Sequence, residues 1–128
     1  MYSQALMDHA VHPRNRGRLP EPSATGTSYF HRCGDRMTID FRVADGRVEE
    51  VRAEAYGCGA SVAAASAATE LLRGRPVEEA RNLSSFTLND ALGDVPAPKR
   101  HALWMVLECV AQALGPRDRD IPNGGTHA

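Results

Sequence analysis

The stretch MTIDFRVADGRVEEVRAEAY, residues 37–56, alternates apolar and other side chains strictly enough to decide much of what this chain becomes. Met37, Ile39, Phe41 and Val43 fall on one face of a strand, and Asp45-Gly46 supplies a turn. Val48, Val51, Ala53 and Ala55 then resume an apolar face. The step from Val48 to Val51 breaks the period of two, which predicts a hairpin with a bulge near Glu49-Glu50. GTSYFH, just upstream, supplies a candidate third strand.

Helical signals surround this hairpin. YSQALMDHAV reads as a short helix that Ser3 caps and Pro13 closes, because proline disfavours helix in the residue before it. A linking loop rich in Pro, Gly and Arg follows, PRNRGRLPEPSATGTS. After the hairpin, the run from Gly59 to Arg73 is helical by propensity and stops at Gly74, and Pro76 opens a short second helix, PVEEARNL. The small residues of SVAAASAAT suit a helix that packs closely on its neighbours. A last helix is expected from Pro98 to Leu114, with Leu103, Val106, Leu107, Val110 and Leu114 in one stripe. The tail GPRDRDIPNGGTHA has almost nothing to bury and is expected to be disordered over 115–128. The order predicts an α+β fold: a small antiparallel sheet of about three strands with helices packed on one face, in a single domain over 1–114.

At 128 residues the chain has room for one core. Fifteen Lys and Arg stand against sixteen Asp and Glu, which gives no electrostatic footprint for nucleic acid or an acidic membrane surface. No apolar stretch approaches the roughly 18–20 residues of a membrane span, and the N-terminus lacks the layout of a signal peptide. A cytoplasmic location is expected. Three cysteines, Cys33, Cys58 and Cys109, are odd in number and far apart, a poor disulfide framework. No nucleophile elbow, phosphate loop or dinucleotide fingerprint is present, so an independent enzyme is not expected.

The chemistry concentrates at three places. In YGCGAS, Cys58 stands between two glycines at the corner between the last strand and the central helix, where backbone N–H groups and the helix dipole favour an anion. The glycines leave room for a metal or a second protein to approach; equally, they could only make the turn around a small buried thiol. In HRCGDRM, Cys33 and Asp35 flank one glycine just before the hairpin, and thiolate and carboxylate both bind zinc or iron. A loop cysteine beside a solvated aspartate is the alternative. His101 shares a helix face with Glu108 and Gln112, opposite the apolar stripe, and is therefore not an obvious core histidine. His9, His12, His31 and Arg14 carry weaker signals, with solvated side chains as the default. His31, two residues before Cys33, is an alternative ligand.

Taken together, C-G-D at 33–35, Y-G-C-G at 56–59 before a small-residue helix, and K-x-H at 99–101 after a proline-rich turn resemble the IscU/NifU family of iron–sulfur cluster assembly scaffolds. MDHAVHPRNRGRL is similar to the family's D-H-x-x-x-P-R-N-x-G segment, ELLRGRPVEEA to the stretch after its central helix, and VPAPKRH to its L-P-P-V-K-x-H segment. The resemblance covers roughly Tyr2 to Leu114 and implies an IscU/NifU-like fold. It implies a scaffold on which a cysteine desulfurase delivers persulfide sulfur, iron is added, and a transient 2Fe–2S cluster forms before transfer to client proteins. Zinc is the alternative occupant. By the same resemblance Cys33, Asp35, Cys58 and His101 are the ligands, and Cys58 or Cys33 the sulfur acceptor. Pro96, Pro98 and Lys99 match the segment that a heat-shock-class chaperone recognises.

One departure touches the mechanism. In the family a third cysteine follows the histidine, and here the residue is Ala102. Cys109 lies near the same helix face but about 10 Å farther along the axis, at about 1.5 Å per residue, and is expected to be a buried small hydrophobe instead. Two thiolates, one carboxylate and one imidazole still make four ligands, enough for tetrahedral zinc and usable for a cluster. A zinc-binding sulfur acceptor or regulator of the SufU type, building no cluster, is the alternative function. Only 43 positions separate Cys58 from His101, a compactness closer to the Isc and Nif branch than to SufU relatives with their insertion. A domain that a metal merely stabilises is a third possibility.

Overall fold

The computed structural model describes residues 2–118. Helix α1 (Gln4–Val11) leads through the linking loop into three strands, β1 (Ala24–Phe30), β2 (Asp35–Ala44) and β3 (Arg47–Tyr56). Helices α2 (Gly59–Leu72), α3 (Val77–Arg81) and α4 (Ser85–Ala91) follow, then a 3-10 turn (Ala97–Lys99) and α5 (His101–Leu114). The strands form one antiparallel sheet in the order β1-β2-β3. Among the described residues no helix is long and apolar enough to cross a membrane.

The alternation of the hairpin sets the core. Met37, Ile39, Phe41, Val48 and Val51 are fully buried on the face that α2 and α5 cover. Arg42 pairs with Glu50 and Val43 with Val48, so Glu49 is the extra residue of the bulge, within the pair where the broken period placed it. The alanines at 63, 64, 65, 67 and 68 are all buried, and their small side chains let α2 touch the sheet, α1, α4 and α5 together.

Each sheet edge has neighbours that take up some of its outward backbone groups. Along β3, the linking loop makes a short parallel bridge in which the Gly17 N–H donates to the Ala53 carbonyl and the Ala53 N–H to the Asn15 carbonyl, each at 3.0 Å. Asp40, fully buried, anchors the same loop by accepting from Arg18 Nε at 2.7 Å, Leu19 N–H at 3.0 Å and Thr25 Oγ1 at 2.6 Å. Burial pushes this carboxyl up, but the Arg18, Thr25 and Leu19 hydrogen bonds outweigh it and hold it below the usual carboxylate range. On the β1 edge, the Gln112 amide reads one residue as a strand would, accepting from Thr27 N–H at 2.9 Å and donating to the Thr27 carbonyl at 2.7 Å. Behind it β1 lies on the α5 backbone: a Cβ on Gly26 would stand 2.0 Å from the Cys109 carbonyl oxygen.

Three features depart from the sequence expectations. Helix α4 was not anticipated, although Ser84 caps it by accepting from the Thr87 N–H, because SFTLNDA carries no apolar stripe. The last helix begins at His101 instead of Pro98, since Ala97–Lys99 form a 3-10 turn closed by Lys99 N–H to Pro96 carbonyl at 2.8 Å. The fold also continues past Leu114. The Arg117 guanidinium donates to the Asn82 and Leu83 carbonyls and Asp118 accepts from Arg81 at 2.7 Å, so the start of the expected tail is docked on α3. The rest of that expectation, residues 119–128, lies outside the described residues.

Candidate metal centre

The end of β3 and the start of α2 meet the start of β2 at a corner that only glycine can make. Gly57 has φ +125, and a Cβ there would lie 2.0 Å from Asp35 Oδ1. Cys58 follows as the N-cap of α2 but makes no side-chain cap of its own. Asp35, from the first position of β2, does the capping instead: its Oδ1 accepts the Cys58 N–H at 3.1 Å. Ser61, in the first turn of α2, donates to Asp35 Oδ2 at 2.6 Å. The N–H at the start of α2 and the hydroxyl of its first turn are thus both tied to a carboxylate on another element.

Asp35 Oδ2 is the hub. Besides Ser61 it accepts from His101 Nε2 at 2.8 Å and from the Cys58 thiol at 3.2 Å. Burial raises the Asp35 pKa, yet the hydrogen bonds from Ser61, His101 and Cys58 prevail and bring it from 3.8 to about 2. The carboxylate is ionised in a place no solvent reaches, its side chain being 0 % exposed. His101 arrives from the first position of α5, and its ring stacks on Phe30 at 4.1 Å between centroids and 12° between planes. The helix face that His101 shares with Glu108 and Gln112 is spent on the β1 edge: Phe30 meets His101, Ser28 donates to Glu108, and Thr27 pairs with Gln112. That explains why the imidazole lies off the apolar stripe and is still only 9 % exposed.

The ligand atoms of Asp35, Cys58 and His101 are 2.8 to 3.9 Å apart, Cys58 Sγ and His101 Nε2 forming the longest edge. A tetrahedral metal with bonds of about 2.0–2.3 Å holds its donors roughly 3.3–3.8 Å apart, so small adjustments would seat one ion among them. One thiol, one imidazole and one carboxylate suit zinc or iron by donor type. On geometry and chemistry these residues fit a metal.

The structure brings together three of the four ligands expected from sequence and leaves Cys33 aside. Cys33 is exposed in the turn between β1 and β2, where its N–H donates to the Phe30 carbonyl at 3.2 Å. Cys109 is fully buried with Sγ 3.6 Å from the Met37 carbonyl, and burial above all, with the Glu108 charge second, pushes its pKa up to about 12. Ala102 is fully buried. His31 stacks on Tyr29 away from the hub. His9 is not the solvated residue taken as the default: it is buried, with Nδ1 2.7 Å from Ser66 Oγ and Nε2 3.5 Å from Glu70, and it joins α1 to α2. Gly57 stands out in the sequence as part of Y-G-C-G, for the backbone angles and room that only glycine gives, and its φ of +125 bears that out. Ser61 and Phe30 were missed by sequence reasoning, since they lie at no diagnostic spacing. Of the proline-rich segment, Pro98 is exposed and Pro96 half-buried, and Ala97–Lys99 form the 3-10 turn that leads into α5.

Residues 1–118 match the NifU-like N-terminal domain family. The chain is 35% identical over 114 residues to iron–sulfur cluster assembly scaffold protein IscU 1 of Archaeoglobus fulgidus, covering 89% of this chain and 74% of that protein. It is 32% identical over 117 residues to IscU of Azotobacter vinelandii, with 88% and 91% covered. Among solved structures, a candidate scaffold protein for the SUF system from Fervidobacterium islandicum superposes with a TM-score of 0.71 at 20% identity, over 88% of this chain and 96% of that one. This last likeness shows a shared fold.

Proposed function

Because this chain belongs to the NifU-like N-terminal domain family, we propose that it is an iron–sulfur cluster assembly scaffold, a carrier of iron or of a labile 2Fe–2S cluster and not an enzyme. The observation that carries this reading is the convergence of Asp35, Cys58 and His101 at the corner between sheet and helix. The IscU relatives support the same role. Iron is cargo here, held by Cys58, His101 and Asp35, with Cys33 as the fourth ligand once the exposed turn that bears it folds inward.

Sulfur comes from a cysteine desulfurase. An acceptor thiolate attacks the outer sulfur of the desulfurase persulfide, the S–S bond breaks, and the donor cysteine leaves as a thiolate. The acceptor's proton passes to solvent, and no electron is gained or lost overall. Exposed Cys33 is the accessible acceptor, and Cys58 is the one already beside the metal ligands. Cluster-accepting clients, a heat-shock-class chaperone binding around Pro96, Pro98 and Lys99, and a cytoplasmic location complete this reading. Anaerobic reconstitution with ferrous iron, cysteine, a desulfurase and dithiothreitol, which supplies the two electrons that turn each persulfide sulfur into sulfide, tests it: the expected result is visible cluster absorbance that Cys58→Ala abolishes, and its absence from folded protein overturns it.

Ala102 supports a second reading, because only two of the three cysteines lie outside the core. In that reading the centre holds zinc, and the protein accepts sulfur from the desulfurase, or regulates it, in a SufU-like role without building a cluster. A persulfide on Cys33 or Cys58 after desulfurase turnover, found by mass spectrometry in zinc-loaded protein that gives no cluster, selects it.

A further inference from the structure

We infer that Ser61 is a positioning residue of this centre: its hydroxyl holds Asp35 in the orientation that a divalent cation needs, and so sets how tightly the cation is kept. The inference rests on reading the Asp35–Cys58–His101 cluster as a metal site.

Three donors share Asp35 Oδ2, namely Ser61 Oγ, His101 Nε2 and Cys58 Sγ. A metal dismisses two of them. Cys58 must lose its thiol proton to become a ligand, and that proton goes to solvent. His101 must present the Nε2 lone pair, so its ring proton moves to Nδ1 by exchange with water. Neither residue then still donates to the carboxylate. Two hydrogen bonds remain on Asp35, the Cys58 N–H on Oδ1 and the Ser61 hydroxyl on Oδ2. The first lies along the backbone of the corner; the second alone fixes the oxygen that faces the metal.

Ser61 is well placed for this work. It is fully buried, so no water competes for its hydroxyl or replaces it. Its position in the first turn of α2 is set by backbone bonds, the Ser61 and Val62 N–H groups both donating to the Cys58 carbonyl at 3.1 and 3.3 Å. Its Oγ also lies 3.5 Å from Cys58 Sγ, so one hydroxyl touches two ligands at once. Met105 closes the other side, with Sδ 3.8 Å away. Hydrogen bonds of this kind to ligating carboxylates typically change metal affinity by about 10–100-fold.

Cobalt(II) titration of the full chain, followed by its visible ligand-field spectrum, tests the inference. Ser61→Ala is expected to weaken Co2+ binding about 10–100-fold and to change the band shape, while Ser61→Thr, which keeps the hydroxyl, stays within about threefold of wild type. In an Asp35→Ala background the Ser61→Ala substitution should lose most of its effect, since Ser61 acts mainly through that carboxylate and only the longer contact with Cys58 Sγ remains. Equal affinity and an identical spectrum for wild type and folded Ser61→Ala overturn the inference alone. A wild-type protein that binds no Co2+ overturns the metal-site reading and this inference with it.

Discussion

Helix α2 carries two histidine–serine–carboxylate assemblies, one at its entrance and one along its side, and they are wired differently. At the side, Ser66 Oγ accepts from Arg14 N–H at 2.8 Å and shares a hydrogen bond of 2.7 Å with His9 Nδ1, while His9 Nε2 faces Glu70 at 3.5 Å. Each donor there has its own acceptor in a chain. At the entrance, three donors crowd one oxygen of Asp35. Ser66 and His9 are each partnered along that chain. At the hub four donors share the two oxygens of Asp35, and a cation bound there would displace two of those donors. Residue type does not separate a fastening from a candidate binding site here; the pattern of hydrogen bonds does.

The sharpest way to break this contrast is to remove one member of each assembly. Cys58→Ala should cost more than about 100-fold in zinc affinity, above the range for outer hydrogen bonds, whereas Ser66→Ala should leave zinc affinity unchanged and lower stability by about 1–3 kcal/mol. Competition with a chromophoric chelator and chemical denaturation read the two effects; equal zinc affinity in both variants would erase the distinction. Gly57→Ala comes next, with a Cβ 2.0 Å from Asp35 Oδ1 and an unfavourable φ, for a loss of about 2–4 kcal/mol in thermal unfolding. Gly59→Ala, whose Cβ would meet only Ala10 Cβ at 3.8 Å, should stay within about 0.5 kcal/mol of wild type.

Acid should dismantle the two assemblies in separate windows. Burial above all, with Arg14 second, holds the His9 pKa below 6.5, so the unfolded chain takes up its proton first. The stability this histidine contributes is complete above pH 6.5 and declines as pH falls through its lowered folded value. Asp35 titrates at 3.8 when unfolded and near 2 when folded. Its share, about 2 kcal/mol, is present above pH 4 and disappears between there and pH 2. Urea midpoints of metal-free protein across this range should show two declines, the upper one absent in His9→Gln; a single decline would join what the hydrogen bonds separate.

The hairpin, its bulge at Glu49 and the span of α2 were legible in the sequence because their signals are local: a period of two, a two-residue turn, a glycine after the last helical residue. Helix α4 was not, since it is held by its cap and by neighbours and not by a stripe. At the centre, the residue types of Asp35, Cys58 and His101 stood out, but Ser61 and Phe30 did not. Their roles depend on contacts between residues 26 and 71 positions apart, which no spacing rule encodes. The buried setting of His101 was equally hidden, because the helix pattern says which face is polar and nothing about which strand edge will cover it.

The near-contact of Gly26 with the Cys109 carbonyl bears on how this chain tolerates change. Gly26 pairs with Ile39, and its neighbours are Thr25 and Thr27. If β1 slid one residue along β2, a threonine side chain would be driven into the α5 backbone. The pairing offset of the first strand is therefore proofread by a helix more than eighty residues downstream. Lengthening or shortening the turn between β1 and β2 should leave β1 where it is and vary only the loop that carries Cys33, so that loop can be redrawn without disturbing Phe30 against His101.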